Sequence, residues 1–435
     1  MKRIAFCTLG CKLNFAETST LTRRFAEAGY QKVPFGEEAD VIVVNTCSVT
    51  AQADKKCRQA VAKAHHTSPD ALIAVMGCYA QLKAEELLRL PGVRIVLGAQ
   101  DKQRLPELVA EVAGKPTTGC GLGPFLDPGV RLRYEGAYSL HDRTRSFLKI
   151  QDGCDFRCAY CTVPLARGNS RNAPVADIVA AAREIAASGV REVVITGVNI
   201  GDFGKTTGEP LLALLQELDA VDGIERFRIS SIEPNLLTTD IICFVASSRA
   251  FVPHFHLPLQ SGSNRTLQRM GRRYGREVFA QRVREIRACM PDASIGADVI
   301  VGFPGETDAD FEETFALLRQ TDLAYCHVFP FSERPGTRAV NLPDKVASEI
   351  KDRRSHLLLQ WSEKQKMNFY NSFVGTTRNV LFESRTADGM MMGYSDNYLK
   401  VAVPLAAEYI GRTAPVMLDV LARPGMLHGH LVTEN

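Results

Sequence analysis

Short apolar runs alternate with helix-like segments along the first quarter of this chain, and this alternation constrains the fold more than any other feature. The apolar runs are bounded by polar or turn-forming residues, as buried strands are. Buried strands that alternate with helices form the parallel sheet of an α/β domain. The strands are predicted at residues 3–8, 40–45, 71–76 and 94–97, with helices at 16–28, 51–64 and 83–88.

The same alternation returns in the middle of the chain, where helical segments separate six strand candidates. Six strand–helix units suit a curved, partial (β/α)6 barrel, in which the chemistry lies at the C-terminal ends of the strands. The predicted strands are residues 146–151, 192–196, 226–231, 254–259, 294–301 and 325–331. Residues 372–435 lack helical periodicity and carry turn signals, which predicts a small β-barrel or sandwich.

These patterns divide the 435 residues into three domains and a linker, within the range of about two to four domains expected for this length. The linker is rich in Gly, Pro and Arg. The predicted parts are an N-terminal α/β domain at 1–115, the linker at 116–142, the barrel core at 143–370 and the small β-barrel at 371–435.

Three cysteines follow the first predicted strand of the barrel core. Cys154, Cys158 and Cys161, here called the barrel trio, have the form C-x3-C-x2-C with no fourth cysteine close behind. A tetrahedral zinc site or an ordinary electron-transfer cubane takes four protein ligands. Three thiolates would leave one iron of a [4Fe–4S] cluster open to a small chelating molecule. A zinc loop whose histidine lies elsewhere is the alternative, although zinc pairs usually read C-x2-C.

A second group of cysteines, here called the N-terminal trio, follows three successive strands of the first domain. Cys11, Cys47 and Cys78 each come directly after a predicted strand. The carboxyl ends of parallel strands meet at one edge of a sheet, where doubly wound folds bind ligands. We therefore expect three converging thiols there, again with one iron left open. The other six cysteines show no such arrangement and are interpreted as buried small hydrophobic residues.

Composition fits an intracellular enzyme that binds metal. The 12 cysteines are spread along the chain, and clustered cysteines in a cytosolic protein are typically metal ligands. The net charge of +3 is too small to indicate nucleic-acid binding. No window approaches ~18 uninterrupted apolar residues and no signal-peptide pattern is present. We expect a cytoplasmic protein without membrane contact.

The motifs around both trios resemble those of the radical-SAM methylthiotransferases, and the resemblance covers nearly the whole chain. It includes residues 45–47 (NTC), 77–78 (GC), 153–154 (GC), 162–168 (TVPLARG), 257–263 (LPLQSGS) and 302–307 (GFPGET). The family implies that the barrel trio holds the [4Fe–4S] cluster that binds S-adenosylmethionine (SAM). It also implies that the N-terminal trio holds an auxiliary [4Fe–4S] cluster carrying the sulfur.

These enzymes replace a C–H bond by C–S–CH3 and consume two SAM per turnover. Such a step needs a species as reactive as an alkyl radical, which a cofactor rather than a side chain supplies. The resemblance further implies that residues 372–435 are a TRAM domain, an RNA-binding β-barrel. The implied partners are the anticodon stem-loop of tRNA and an electron donor such as flavodoxin or ferredoxin.

Polar residues and glycines at the ends of the barrel strands are candidates for the SAM pocket. Such groups can reach ribose, amino groups or adenine, although strand-end capping and tight turns explain each of them equally well. Arg167, just after the barrel trio, is a candidate for the SAM carboxylate. The other candidates are Gly197, Asn199, Glu233, Gln260, Ser261 and Gly302.

Basic residues near the barrel mouth suggest an anionic substrate. Guanidinium groups beside an aromatic ring suit phosphate contact and base stacking, whereas a solvated helix–loop face is the alternative. The RNA-binding candidates are Arg171, Arg272, Arg273 and Tyr274. The last 64 residues carry one more acidic than basic side chain, so that no basic stripe is visible there from net charge.

The first cysteine motif separates the branches of the family. Residues 10–18 (GCKLNFAET) resemble the branch that modifies N6-threonylcarbamoyladenosine at position 37 of tRNA, and we favour that substrate. The alternatives within the family are isopentenyladenosine in tRNA and an aspartate of a ribosomal protein. Outside it, the alternatives are a radical-SAM enzyme whose second cluster only relays electrons and a non-catalytic iron–sulfur protein that binds RNA or senses redox state. No general base is identifiable.

Overall fold

The computed structural model describes residues 1–100, 102–113, 121–122, 132–386 and 388–432. Most of the predicted linker at 116–142, including Cys120, lies outside the described residues. None of the helices formed by the described residues is long and apolar enough to cross a membrane.

A six-stranded parallel sheet forms the N-terminal part of the protein. The strands run in the order β2-β1-β3-β4-β5-β6. Their bounds are β1 Lys2–Thr8, β2 Tyr30–Val33, β3 Val41–Thr46, β4 Leu72–Gly77, β5 Val93–Leu97 and β6 Gly121–Leu122. The helices are α1 Lys12–Glu27, α2 Ala51–Thr67, α3 Cys78–Leu82, α4 Ala84–Leu88 and α5 Leu105–Val112. Both faces of the sheet carry an apolar core, which explains why β3 and β4 are buried along their whole length.

An open barrel of parallel strands forms the centre of the molecule. Its strands are β8 Arg145–Lys149, β9 Glu192–Thr196, β10 Arg226–Ile229, β11 His254–Gln260, β12 Ser294–Val301 and β13 Tyr325–Pro330. A short antiparallel strand, β7 Ala137–Tyr138, extends the β8 edge. Bridges at Phe227–Phe251 and Ser231–His256 connect β10 with β11.

The helices of the central part are α6 Val163–Arg167, α7 Val175–Ala187, α8 Leu211–Asp219, α9 Thr239–Ser247, α10 Asn264–Met270, α11 Arg276–Cys289, α12 Asp308–Gln320 and α13 Ser348–Asn371. All but α6 and α10 pack against alternate strand side chains on the outer face of the barrel, in one large apolar core. The short α6 packs against α3 instead. The opposite, inner face carries many polar side chains, because strand residues alternate between the two faces.

A closed five-stranded barrel forms the C-terminal part. Its strands, in the order β14-β15-β16-β18-β17, surround an apolar core of their own. They are β14 Thr377–Arg385, β15 Met390–Ser395, β16 Lys400–Pro404, β17 Thr413–Arg423 and β18 Met426–Leu431. The structure thus confirms the predicted fold class: a parallel-sheet α/β unit, a partial barrel and a small β-barrel.

Candidate metal centres

The N-terminal trio lies at one edge of the first sheet. Cys11, Cys47 and Cys78 follow β1, β3 and β4, which are adjacent in the sheet. The loops that carry Cys11 and Cys47 approach each other closely, since a Cβ atom on Gly10 would lie 3.1 Å from Cys47 Sγ. Only a residue without a side chain fits there, and its φ of +102° favours glycine as well.

Hydrogen bonds connect the three loops. The amide of Asn14 donates to Leu9 O at 2.7 Å and to Thr46 O at 3.0 Å, which joins the first loop to the second. The Thr46 hydroxyl donates to Met76 O at 2.6 Å and so joins the second to the third. These buried contacts hold the three thiols in a fixed arrangement.

The chemistry of the N-terminal trio fits an iron–sulfur cluster. Burial raises the pKa of the Cys47 thiol to about 11, and the neighbouring thiols of Cys78 and Cys11 add to this rise. The Cys47 thiol therefore stays protonated without a metal, whereas a bound metal deprotonates a coordinating thiol. A set of three thiolates matches a [4Fe–4S] cluster with one iron free of protein ligands.

The barrel trio lies on the loop that follows β8. Each of its sulfurs lies within hydrogen-bonding distance of one N–H donor. The donors are Phe156 N to Cys154 Sγ at 3.4 Å, Val163 N to Cys161 Sγ at 3.4 Å and Arg272 Nη1 to Cys158 Sγ at 3.1 Å. Donors of this kind stabilise sulfur that carries negative charge, and they tune the reduction potential of a cluster.

A single zinc ion fits neither trio well. Tetrahedral zinc–sulfur bonds place the sulfurs roughly 3.8 Å apart. Within the described part of the chain, no three cysteine sulfurs lie within 4.8 Å of one another. The wider spacing favours a cluster of several irons over the zinc alternative.

A buried network of charges joins the first sheet domain to the barrel. Glu17 on α1 accepts hydrogen bonds from Lys102 at 2.8 Å, Lys149 at 3.1 Å and Arg167 at 3.0 Å. Burial alone would raise the pKa of Glu17, but these three cations hold it well below its usual range. The glutamate is therefore ionised and fixes α1 against the barrel between the two trios.

Arg167, which was predicted to contact the SAM carboxylate, belongs to this network. It is 2% exposed, and it also donates to Asp152 Oδ1 at 3.0 Å and to Asn14 Oδ1 at 2.7 Å. A guanidinium held by two carboxylates and an amide has little capacity left for a third anion. Contact of Arg167 with SAM stays a prediction. Its partner Glu17 was missed because the two residues meet only through tertiary folding.

Two of the predicted SAM-pocket residues have unused polar capacity. Both side-chain atoms of Asn199 are buried without a hydrogen-bond partner, although buried amides are normally paired. Glu233 is paired with Arg272. Burial nevertheless raises the pKa of Glu233 to about 7, because the attraction of Arg272 only partly opposes it. A ligand with both donor and acceptor groups would satisfy Asn199, and a donor group would suit Glu233.

Other predicted pocket residues have evident structural roles. Ser261 is 0% exposed and its hydroxyl lies 3.2 Å from Thr314 Oγ1 on α12. Gly302 adopts a φ of +71°, and a Cβ there would lie 2.3 Å from a side-chain carbon of Lys351. Both residues help to shape the local backbone, and their contact with SAM stays a prediction.

The remaining two candidates for the SAM pocket, Gly197 and Gln260, lie where the backbone is tightly packed or irregular. Gly197 is enclosed, since a Cβ there would lie 2.8 Å from Ile200 and 2.9 Å from Gln151. Gln260, with an unusual φ of +66°, ends β11. Its backbone forms a bulge in the pairing with β12. Contact of either residue with SAM stays a prediction.

The RNA-binding candidates separate into buried and exposed side chains. Arg171 is buried and donates to Asp152 Oδ2 at 3.1 Å, and Arg272 is enclosed by Glu233, Cys158 and Tyr274. The hydroxyl of Tyr274 donates to Pro258 O. These three side chains are enclosed in this structure, and their contact with RNA stays a prediction. Arg273 is exposed, with its guanidinium 4.3 Å from the ring of Phe156, and stays a candidate.

Sequence reasoning also missed a second bridge between the domains. Arg334 donates to Ser48 Oγ at 2.8 Å and to Asp54 Oδ2 at 2.5 Å. Ser48 directly follows Cys47, so the bridge supports the loop that carries this cysteine. Arg334 and Ser48 are 286 positions apart in the sequence, and no local sequence pattern connects them.

Profiles of three protein families match consecutive parts of the chain. "Uncharacterized protein family UPF0004" matches residues 3–98, the "Radical SAM superfamily" residues 148–318 and the "TRAM domain" residues 371–432.

Curated proteins match over almost the full length. The chain is 37% identical to the threonylcarbamoyladenosine tRNA methylthiotransferase MtaB of Bacillus subtilis, over 96% of this chain and 94% of that protein. The protein of the same name from Aquifex aeolicus is 38% identical to this chain, over 87% of this chain and 92% of that protein. The tRNA-2-methylthio-N(6)-dimethylallyladenosine synthase of Cereibacter sphaeroides is 35% identical over 91% of each chain.

A solved structure shares the arrangement of strands and helices. The radical S-adenosylmethionine methyltransferase TsrM from Kitasatospora setae, with cobalamin and a [4Fe–4S] cluster bound, superposes with a TM-score of 0.59. The match covers 90% of this chain and 77% of that chain at 13% sequence identity. At this identity the likeness extends to the fold alone.

Proposed function

This chain belongs to the radical-SAM methylthiotransferase family, and from that premise we propose that it converts N6-threonylcarbamoyladenosine at position 37 of tRNA into its 2-methylthio derivative. The observation that carries the proposal is the pair of cysteine trios, each with three thiols. A buried network through Glu17 and Arg167 holds the domains that carry them together. A methylthiotransferase needs two such sites, one to generate a radical and one to supply sulfur.

The protein's own residues would fix the two clusters and their spacing. When bound, the clusters and SAM supply the radical and the sulfur for the conversion of C–H to C–S–CH3 at C2 of the adenine. We assign the barrel trio to the SAM-binding cluster and the N-terminal trio to the auxiliary cluster. Arg272 would stabilise the first through its contact with Cys158 Sγ. Asn199 and Glu233 would accept donor groups of SAM.

The choice of substrate rests on two observations. Proteins named threonylcarbamoyladenosine tRNA methylthiotransferases match the chain at 35–38% identity. Lys12 follows Cys11 directly, and burial of its ammonium group together with the nearby charges of Arg145 and Arg228 lowers its pKa to about 8, so that it is still mostly charged at neutral pH. A cation beside the auxiliary site suits the carboxylate of the threonylcarbamoyl group. The second candidate is the dimethylallyl substrate, because relatives named for it reach 35% identity.

The remaining parts of the proposal concern partners and location. The C-terminal barrel would contact the tRNA, since the matching TRAM family binds RNA. A flavodoxin or ferredoxin would deliver electrons to the barrel-trio cluster. We place the protein in the cytoplasm, where its tRNA substrate is found.

Mass spectrometry of digested tRNA tests the proposal. Cells that lack the protein should lose 2-methylthio-N6-threonylcarbamoyladenosine, and the wild-type chain should restore it while Cys47→Ala should not. Cys289→Ala is the matched control, because Cys289 is an exposed cysteine on a barrel helix outside both trios.

Each outcome of this experiment tests a different part of the proposed function. If only the dimethylallyl product disappears, the substrate assignment is wrong and the chemistry stands. If neither nucleoside changes, the tRNA function is wrong. If Cys47→Ala restores the product, the auxiliary-site assignment is wrong.

A further inference from the structure

Three polar side chains on neighbouring strands of the open barrel converge outside the two cysteine trios. His256 lies on β11, Asp298 on β12 and His327 on β13. Within the part of the chain that the structure describes, they are the one group of three potential metal ligands whose ligand atoms all lie within 4.8 Å of one another. Asp298 Oδ1 is 2.8 Å from His256 Nε2 and 3.3 Å from His327 Nδ1.

The sheet holds these side chains on the inner face of the barrel. Asp298 and His327 are direct partners in the parallel register of β12 and β13. Strand side chains alternate, so the adjacent residues point the other way, into the apolar core beneath the helices. Of these adjacent residues, Phe255, Leu257, Ala297, Val299 and Cys326 are buried, and Val328 is partly buried against the same core. Ligands on rigid, packed strands are positioned before an ion arrives.

Tyr325 supports the ring of His256 from the other side. Its hydroxyl oxygen lies 3.4 Å from His256 Nδ1, while His256 Nε2 faces Asp298. Histidine ligands of metals typically use their second ring nitrogen in such a contact, which fixes the orientation of the ring. His256 is therefore oriented toward the point where the three ligand atoms meet.

We propose that His256, Asp298 and His327 form a binding site for a divalent transition-metal ion of the Zn²⁺ or Fe²⁺ class. Two imidazoles and one carboxylate suit these ions and leave coordination positions open for water or an oxygen of a ligand. Metal–ligand bonds of ~2.1 Å put neighbouring ligand atoms roughly 3 Å apart, close to the two separations observed here. An ion would replace the direct contacts that now join Asp298 Oδ1 to both imidazoles.

The site is open to an incoming ion. The His327 side chain is 56% exposed and the Asp298 side chain 22% exposed, and β13 is the edge strand of the three-stranded part of the barrel. The ligand set shares no residue with the cysteine trios. The proposal therefore stands or fails independently of the methylthiotransferase function.

Zinc retention by the cluster-loaded protein tests the site. The full chain with both clusters in place is mixed with one equivalent of ZnCl2, desalted and measured by plasma mass spectrometry. The absorbance near 400 nm is followed to show that the clusters persist. We expect one zinc per wild-type chain and an affinity at least ~100-fold lower in Asp298→Asn, since even changes behind the ligands cost ~10–100-fold.

Two further variants make the result decisive. His327→Ala removes a largely exposed ligand, so the fold should persist while zinc is lost. Asp419→Asn is the matched control, because Asp419 forms an exposed pair with His430 Nδ1 at 2.9 Å on the C-terminal barrel. It should keep the wild-type zinc content. Equal zinc retention by the wild type, Asp298→Asn and His327→Ala would overturn the proposal. The three side chains would then form a hydrogen-bonded group that does not bind metal.

Discussion

Arg167 shows how much of this protein depends on one buried side chain. Its guanidinium connects Glu17 and Asn14 of the N-terminal domain with Asp152 of the barrel. Taking these charges out of water is costly, and the cost is offset only while every partner is present. The motif after the barrel trio indicated Arg167 from sequence. Its partners could not be predicted, because the approach of α1 to the barrel is a property of the whole fold.

Replacing Arg167 by Met should strongly destabilise the protein. The change leaves Glu17 and Asp152 buried with fewer cations, and breaking a buried ion pair costs about 3–5 kcal/mol. Urea unfolding should show the first transition at a clearly lower denaturant concentration. Arg24→Met is the control, since Arg24 forms a half-exposed pair with Glu107 at 2.8 Å that is worth about 0–1 kcal/mol. If Arg167→Met and Arg24→Met lower the urea concentration of the first transition equally, the role given to the buried network is wrong.

At the scale of elements, the loops that follow strands carry the chemistry, and their glycines set the geometry. Gly153 precedes Cys154 with a φ of +70°. A Cβ at this position would lie 2.0 Å from Asn169 O, a backbone atom that cannot move away easily. The close approach ties the start of the cysteine loop to the segment just after α6.

Gly153→Ala should therefore abolish cluster binding at the barrel trio. The alanine meets both an unfavourable φ, which costs roughly 1–2 kcal/mol, and a collision with backbone. Iron content and absorbance near 400 nm should fall by about half, because only the N-terminal trio would stay loaded. Gly189→Ala is the control that separates the two causes. Gly189 has a similar φ of +82°, but nothing would lie within 4 Å of an added Cβ, so the alanine meets the unfavourable φ without a collision. A full iron content in Gly153→Ala would show that the loop adapts.

Most strands were predictable because their apolar runs are continuous and bounded by turn signals. The predictions at residues 192–196 and 294–301 agree with β9 and β12 residue for residue. The structure adds β2, which the sequence did not reveal. This edge strand has only four residues, and Gln31 and Lys32 within it are exposed, so it carries no buried run. The inner-face trio of His256, Asp298 and His327 was equally hidden, because its members come from three strands.

At the scale of the whole molecule, the C-terminal barrel docks onto the strands of the open barrel. Arg226 Nη2 donates to Asn379 O at 2.8 Å and Arg228 Nη1 to Asp396 O at 3.0 Å. The ring of Tyr398 lies 4.6 Å from the Arg228 guanidinium and 4.7 Å from the ring of His254. The predicted RNA-binding barrel is thus attached to the catalytic core through specific contacts rather than only through α13.

Tyr398→Ala should loosen this attachment without unfolding either barrel. The substitution removes the cation–π contacts with Arg228 and Arg145 and the ring contact with His254, together worth about 1–3 kcal/mol. Cleavage by a protease in the connection at residues 372–376 should accelerate roughly tenfold, because proteolysis follows the population of the open form. Val420→Ala is the control, since Val420 is 54% exposed on β17 and should leave the rate unchanged. If Tyr398→Ala is cleaved no faster than wild type, the remaining contacts, such as the ion pair of Arg145 with Glu383 and the backbone contacts of Arg226 and Arg228, hold the two barrels together without Tyr398.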